Sequence, residues 1–430
     1  MNAHLMYPEE VFQFIWQQLY FQLHTLQTTN GQKIHIVDPG IWNKDQGPDF
    51  LDATIHLDGI TWRGHVEIHK TTGDWYHHKH HQDPHYDNTI LHVVYKKGKV
   101  PACRTDGTII PELVLEGLIP ASFWRNYTFL QDTQANLPCH ALLIQTLSSY
   151  DHWIRQLGWQ RLQQKTNTWK ERLSHYQGDF RELLWHAILP RLGGKANHTP
   201  FEILAQRIPF GLIQRYQEDV FTVETLLFGG LGLLKGQAKD ESHQRSLDRW
   251  SYLRHKHKLG EMTALPVKHS RMRPHAFPML RLAQLAQWVR LFPKWTDLLS
   301  MEGMLRFLQT DLGVSNYWHT HHSWGVTHKL LRPCLGKQTK EMLIWNALLP
   351  VAMLYENQYP AGQSNTLRMF AYQLKAERNT ITRKFSKYPL PQKHIVDTQG
   401  IYHLYQSYCK EKKCLSCEIG QTLLTTGLGK

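Results

Sequence analysis

Hydrophobic and polar residues alternate along the first hundred positions with two different periods. Pro8 is followed by Glu9-Glu10-Val11-Phe12-Gln13-Phe14-Ile15-Trp16. Acids in a first turn ahead of an apolar run predict a helix there. Lys33-Ile34-His35-Ile36-Val37 alternates between Asn30-Gly31 and Pro39-Gly40, which predicts a strand. Ala53–Leu57 reads as a second strand, Asp58-Gly59 as a tight turn and Thr61–His69 as a third strand. Asp74 to Tyr86 is polar and histidine-rich, which predicts a loop with a short helix. Ile90-Leu91-His92-Val93-Val94-Tyr95 is a β-branched run expected in a buried strand. The predicted order is α-β-β-β-(α)-β.

Beyond residue 120 the pattern turns helical. Trp153, Leu157, Leu162, Trp169 and Leu173 recur at helical spacing within Tyr150–Leu173. Phe180–Leu189, Pro200–Gln206, Leu280–Phe292, Glu341–Glu356 and Leu367–Lys384 are expected to be helices as well. The expected fold class is α+β. It has an N-terminal α/β core over 1–120, a large mainly α-helical region over 121–400 and a cysteine-containing segment over 401–430. Leu184-Trp185-His186-Ala187-Ile188-Leu189-Pro190 echoes Ile344-Trp345-Asn346-Ala347-Leu348-Leu349-Pro350, which would fit two related helical halves. The glycine-rich run Phe228–Gly236 lacks both the Gly-Lys-Ser/Thr of a P-loop and the dinucleotide fingerprint. It is expected to be a turn between helices.

Composition narrows the class. The 430 residues suggest two or three domains. With 15 Trp, 18 Tyr and 16 Phe the chain can bury a large core, which argues against disorder. Mean hydropathy is −0.46, and no run approaches the roughly 20 apolar residues of a membrane span. The first residues carry Glu9 and Glu10 without a basic start and apolar core, so no secretory signal is expected. Six cysteines in this length do not form a disulfide framework, and a cytoplasmic home is expected. The 49 Lys and Arg against 36 Asp and Glu give a net charge of +13. That favours anionic partners, with nucleic acid first among them.

The candidate chemistry lies in Gly47-Pro48-Asp49-Phe50, in Gly64-His65-Val66-Glu67-Ile68-His69 and in Asp74-Trp75-Tyr76-His77-His78-Lys79-His80-His81. Strand geometry puts Glu67 and His69 on one face, with Val66 and Ile68 on the other, buried face. The Asp58-Gly59 turn folds the preceding strand back, so Asp49 can lie near the far end of the Glu67 strand. Two carboxylates converging there suit a hard divalent cation such as Mg²⁺ or Mn²⁺. Such an ion activates water and polarises a phosphodiester. The bland alternative is a strand-edge cap and an exposed strand acid. Eight histidines fall between His65 and His92. They fit a solvated loop titrating near about pH 6–7. They also fit a cleft in which His78 or His80 assists proton transfer, or a zinc site with Asp83. His92, inside an apolar strand, is expected to be a hydrogen-bonded core residue.

On these residues the chain resembles the PD-(D/E)xK nuclease superfamily. Pro48-Asp49 and Glu67-Ile68-His69 match its signature in order and spacing, with His69 where the superfamily usually has Lys. The resemblance implies a restriction-endonuclease-like core of order α-β-β-β-α-β over residues 8–96, with Asp49 and Glu67 as metal ligands. It also implies a metal-dependent deoxyribonuclease in which His69 replaces the water-orienting Lys. Trp75-Tyr76-His77-His78-Lys79-His80 is similar to a stretch of the very-short-patch repair endonucleases, and Glu10 could match an extra helical acid of some members. Over its whole length the chain looks like the domain of unknown function 2851 family. That likeness rests on Gly47–Phe50, Val66–His69, Asp74–Tyr76, Tyr86–Asn88, Leu91–Val94 and Tyr408-Cys409 with Cys414-Leu415-Ser416-Cys417. It implies that the N-terminal motif and the cysteine end belong together.

Cys409, Cys414 and Cys417 have a spacing suited to zinc or an iron–sulfur cluster. A fourth ligand is needed, and Cys334 is the first choice, with Cys139, Cys103 or a histidine as alternatives. Some superfamily nucleases hold a [4Fe-4S] cluster with one upstream and three C-terminal cysteines, a similar outline. The leading functional expectation is a Mg²⁺- or Mn²⁺-dependent nuclease acting on DNA. The alternatives are a nucleic-acid-binding protein on a degenerate nuclease core and a zinc-dependent hydrolase using the His-rich loop. No Gly-x-Ser-x-Gly elbow is present, which excludes an ordinary serine hydrolase.

Overall fold

In the computed structural model Pro8 leads into helix α1 (Glu9–Gln17), which buries Val11, Phe12, Phe14, Ile15 and Trp16. Six strands follow: β1 (Ile34–Asp38), β2 (Ile41–Trp42), β3 (Phe50–Leu57), β4 (Ile60–Thr71), β5 (Thr89–Lys96) and β6 (Glu112–Val114). They form one mixed sheet of order β1-β3-β4-β5-β6, with the short β2 also paired to β3. The β1, β2 and β4 pairings with β3 are antiparallel, whereas β4–β5 and β5–β6 are parallel. A parallel neighbour requires a crossover. Here it runs through the short helix α2 (Asp74–His77) and two 3-10 turns. Helix α1 packs against β4, and α3 (Ala121–Asp132) follows β6.

The described residues are 7–132, 137, 139, 150–269, 272, 276–327, 333–360, 362 and 364–425. The chain divides into two units. One holds Met1–Ser148 with Tyr405–Lys430, and the other holds Ser149–Leu404. In the first unit the C-terminal helix Glu418–Thr425 packs against α3.

The first helix and the strands expected at 33–37, 61–69 and 90–95 lie where β1, β4 and β5 are found. The second strand begins earlier than its alternation suggested, at Phe50. The reason is a bulge: Phe50 pairs Val66 and Ala53 pairs Gly64, so Leu51 and Asp52 face one residue. Asp52 takes a left-handed φ of 56° there. The bulge breaks the two-residue period and bends β3 where it enters the site. Strands β2 and β6 are too short to show a period.

Among its described residues the second unit is helical, apart from a two-stranded ribbon at His321–Ser323 and Val326–Thr327 and a bridge between Lys375 and His394. Its helices are α4 (Asp151–Leu173), α5 (Phe180–Leu192), α6 (Gly194–Arg207), α7 (Phe210–Arg215), α8 (Val220–Gly230), α9 (Glu241–Lys256) and α10 (Pro278–Leu291). There follow α11 (Met301–Gln309), α12 (Lys337–Leu343), α13 (Leu349–Gln358), α14 (Ser364–Ala371), α15 (Thr380–Phe385) and α16 (Ile395–Leu404). Helices α12 and α13 join through a π-turn at Ile344–Leu348. That turn packs on α5, so the two echoing sequence segments meet in the core. The single helix expected over Leu367–Lys384 is instead two. The first ends at Ala371, the chain then bridges Lys375 to His394, and Asn379 starts α15: its side chain accepts from the Ile381 and Thr382 amides at 2.9 and 3.0 Å, and Thr382 caps it back. The glycine-rich run closes α8 and then turns through Gly232 and Gly236, whose φ values are 71° and 77°. Helices α4 and α16 cross closely, because a Cβ on Gly158 would strike the Val396 carbonyl and one on Gly400 the Ile154 carbonyl.

Candidate active site

The bend at the start of β3 delivers Asp49 to the middle of β4. Its backbone N–H donates to Glu67 Oε2 at 2.9 Å, while its own Oδ2 accepts the Ile68 N–H at 3.0 Å. Its Oδ1 accepts from Gln13 Nε2 at 2.7 Å, so α1 supplies a third anchor. Asp49 and Glu67 are therefore brought together, Glu67 held by the Asp49 amide and Asp49 by the Ile68 amide. Glu67 is 5% exposed. Among the described residues no Lys or Arg forms an ion pair with either acid.

Electrostatics follow from that crowding. Burial, and then the neighbouring Glu67, push the Asp49 carboxyl up to about 8. Burial pushes Glu67 up to about 8 as well, against the lowering effect of the Asp49 N–H. Glu9, one turn before Gln13 on α1, is pushed up to about 7 by burial and then by Asp49. Glu10, the helical acid singled out in the sequence, is exposed; Glu9 is the one more tightly coupled to the pair. Glu9 and Gln13 at positions i and i+4 were a readable signal, being polar on one stripe of an apolar helix.

The histidines gather beside these acids. His69 Nε2 lies 3.5 Å from Glu67 Oε1, and His80 Nε2 lies 3.3 Å from the same oxygen. His69 Nε2 also meets His78 Nδ1 at 3.1 Å. His69, His78 and His80 offer ligand atoms all within 4.8 Å of one another. Lys79 makes this possible with a left-handed φ of 63°, which turns the chain so that the residues on both sides of it face β4. Trp75 is fully buried and donates its indole N–H to the Cys103 carbonyl at 2.9 Å. Its ring edges against His80 and His92 at 5.3 and 5.2 Å, and His80 stacks on Tyr86 at 3.8 Å. Asp83 binds His85 instead of this cluster. Burial holds His69 well below the usual histidine range and His80 down to about 4, so these rings stay neutral ligands or bases.

A buried string backs His69. Its Nδ1 meets His92 Nε2 at 2.8 Å, and His92 Nδ1 lies 3.4 Å from Glu112 Oε2. His69 Nδ1 and His92 Nε2 share one proton between their rings, which leaves His69 Nε2 facing Glu67 and His78. Glu67, His92 and Glu112 occupy one row across β4, β5 and β6. Glu112 was not singled out in the sequence, since nothing local marks it.

The family described as "Protein of unknown function (DUF2851)" matches residues 9–380, most of the chain. The chain belongs to the DUF2851 family. Its match contains Asp49, Glu67, all the site histidines and Glu112. No curated protein and no solved structure matches this DUF2851 chain. Cys409, Cys414 and Cys417 lie beyond the matched residues and are buried in the first unit. Cys334 lies in the second unit, where it acts on Lys340. Among the described residues no helix is long and apolar enough to cross a membrane.

Proposed function

We propose that this DUF2851 protein is a metal-dependent nuclease that hydrolyses phosphodiester bonds in DNA, built on a PD-(D/E)xK core. The observation that carries the reading is the convergence of Asp49 and Glu67, a half-buried and a buried carboxylate with no Lys or Arg paired to either among the described residues. Such a pair costs several kcal/mol to ionise unless a cation neutralises it, and Mg²⁺ or Mn²⁺ has the oxygen preference to do so. The strand order supports the reading too, with an antiparallel β3–β4 pair followed by a parallel β5. A divalent ion at Asp49 and Glu67 would supply Lewis-acid activation of water and phosphate. His69 stands where the superfamily has Lys, and its Nε2 lone pair, set by His92 and Glu112, accepts a proton from water. His78 and His80 close the other side and donate toward phosphate oxygens. The basic excess of the chain holds the phosphate backbone.

The test is cleavage of linear and circular DNA with Mn²⁺, Mg²⁺ or EDTA, wild type beside Glu67→Ala. Metal-dependent cutting that is lost in the variant is expected, and equal cutting by a folded Glu67→Ala protein overturns the assignment. Absence of cutting with salt-steep DNA binding would favour a binding protein on a degenerate core. The three convergent histidines favour one second reading, a zinc hydrolase. It requires one zinc per chain that is lost in His78→Ala and His80→Ala but kept in Asp49→Ala.

A further inference from the structure

The helical unit holds a cavity of about 900 Å³ walled by α4, α5, α6, α10, α12 and α16. Small-molecule sites have volumes of roughly 300 to 1,000 Å³, so this one can enclose a ligand. Its lining is cationic. Arg161 from α4, Arg191 from α5, Lys195 from α6 and Arg281 from α10 all reach it, and among the described residues no Asp or Glu does. Two acids act on these cations from outside the lining. Glu202 pairs with Arg172 at 3.8 Å, and Glu377 is a carboxyl that burial pushes up.

The local chain aims these groups. Gly194, with a left-handed φ of 65°, turns the chain from α5 into α6, so Arg191 and Lys195 reach the same cavity. Arg161 donates from Nε to Gln399 Oε1 at 2.9 Å and lies 4.2 Å over the Tyr402 ring. Arg191 donates to the Ala187 carbonyl at 3.2 Å and lies 5.3 Å over the Trp169 ring. Arg281 donates to Gln284 Oε1 at 3.1 Å, and Gln284 is itself fixed by donating to the Pro333 carbonyl at 2.6 Å. All of these partners are neutral. They orient each guanidinium and leave further N–H groups on it for a ligand. The two echoing segments also meet the cavity, through Pro190 in the first and Asn346 at the π-turn in the second. Asn346 accepts from Lys165 Nζ at 2.5 Å and donates to the Met342 carbonyl at 2.8 Å, which holds a fifth cation at the cavity edge.

Arg161, Arg191 and Arg281 are half-buried. Cations taken out of water without an anion are costly, and like charges on low-dielectric walls focus a positive potential. Burial pushes Arg191 and Arg281 down to about 10, and Arg172 adds to the fall at Arg191. A guanidinium fork matches a carboxylate or a phosphate. One carboxylate would leave most of this charge unmet, whereas an oligophosphate carries several charges on adjacent groups. A cavity walled by six helices suits a small molecule better than a polymer backbone.

We propose that this cavity binds a small oligophosphate such as a nucleoside triphosphate, independently of the Asp49–Glu67 site. Equilibrium dialysis of the full-length protein against labelled ATP tests it, with tripolyphosphate as competitor. EDTA keeps divalent ions from bridging phosphate to Asp49 and Glu67. Saturable binding at about one site per chain is expected. It should weaken at least about tenfold in Lys195→Ala and in Arg281→Gln, each of which removes a charge-assisted contact. It should be unchanged in Arg290→Gln, an exposed arginine further along α10. Tripolyphosphate that competes as well as ATP binds shows that the phosphate chain alone is held; weaker competition shows that the nucleoside is held too. No binding of either probe up to about 1 mM overturns the proposal, as does binding that both variants keep. DNA that binds where neither probe does, and that Lys195→Ala weakens, makes the surface a nucleic-acid track and also overturns it. If Arg281→Gln fails to fold, Lys195→Ala, at an exposed residue, decides.

Discussion

Glu67→Gln separates a cation site from an ordinary buried polar pair. The amide keeps the size of the side chain, and its oxygen can still accept the Asp49 N–H that Glu67 Oε2 accepts at 2.9 Å. What disappears is a buried charge. The Glu67 carboxyl rises from 4.5 to about 8 in the fold. The folded state therefore holds a proton across that window that the unfolded chain releases. The stability it confers is fully present below pH 4.5 and is lost as pH rises through about 8. At 1.36 kcal/mol per unit the full cost of ionisation approaches 5 kcal/mol, roughly. Local relaxation and water entry reduce this, so a gain of about 2 kcal/mol or more is expected for Glu67→Gln at pH 8 without metal. At pH 5 the two proteins should melt together. Mn²⁺ should close most of that gap at pH 8: the wild type gains about 2.7 kcal/mol at a hundred times the dissociation constant, and the variant gains little. Thermal melts at pH 5 and pH 8, with Mn²⁺ and with EDTA, read all of this. A variant that is less stable at both pH values, in a wild type indifferent to Mn²⁺, would refute the reasoning.

Two predictions concern the helical unit. Glu224 on α8 is buried; its Oε2 accepts from Ser315 Oγ at 3.2 Å and Trp318 Nε1 at 3.3 Å, while Oε1 has no hydrogen-bond partner. Burial pushes this carboxyl up to about 7, so Glu224→Gln should stabilise the protein at pH 8 by up to about 3 kcal/mol and leave it unchanged at pH 5. Equal melting temperatures at pH 8 would show that the site is hydrated in solution. Gly400→Ala should cost about 3 kcal/mol or more, because its Cβ meets the Ile154 carbonyl where α4 and α16 cross. A denaturant midpoint equal to that of the wild type would refute that close crossing.

The parts that were legible in the sequence are those carried by local period. Helix α1 announces itself by acids ahead of an apolar run, and β5 by the β-branched run Ile90-Leu91-His92-Val93-Val94-Tyr95, which is buried as expected. The meeting of Asp49 with Glu67 was also legible, since Asp58-Gly59 fixes how β3 returns along β4. The bulge at Leu51-Asp52 was not, because a single left-handed residue between strand residues leaves no periodic trace. The break between Ala371 and Thr380 left no trace for a related reason: apolar residues continue across it at Leu374 and Ile381, and only the Lys375–His394 bridge and the Asn379 cap separate the two helices. Cys139 was not preferred over Cys334, because both are distant in sequence from the three C-terminal cysteines. Only the tertiary fold separates them, placing Cys139 in the unit that holds the other three.

The row Glu67, His92, Glu112 explains how histidine can stand at position 69 under the nuclease reading. A lysine there would have to keep its ammonium desolvated or give up its proton at a position that is 1% exposed. A neutral histidine carries no such cost, but it needs one ring nitrogen satisfied and the other directed. Strand β5 satisfies it with His92, and β6 places the Glu112 carboxylate 3.4 Å from His92 Nδ1. These partners lie 23 and 43 residues downstream of His69, and they align only because β4, β5 and β6 run parallel in register. The departure from the superfamily signature at one position is thus matched by two buried residues on the next two strands. His69 is therefore tied to its neighbours on β4 and β5. A degenerate core would have no need of that string, since an aliphatic residue at 69 would pack beside Trp75 without three buried polar groups to satisfy.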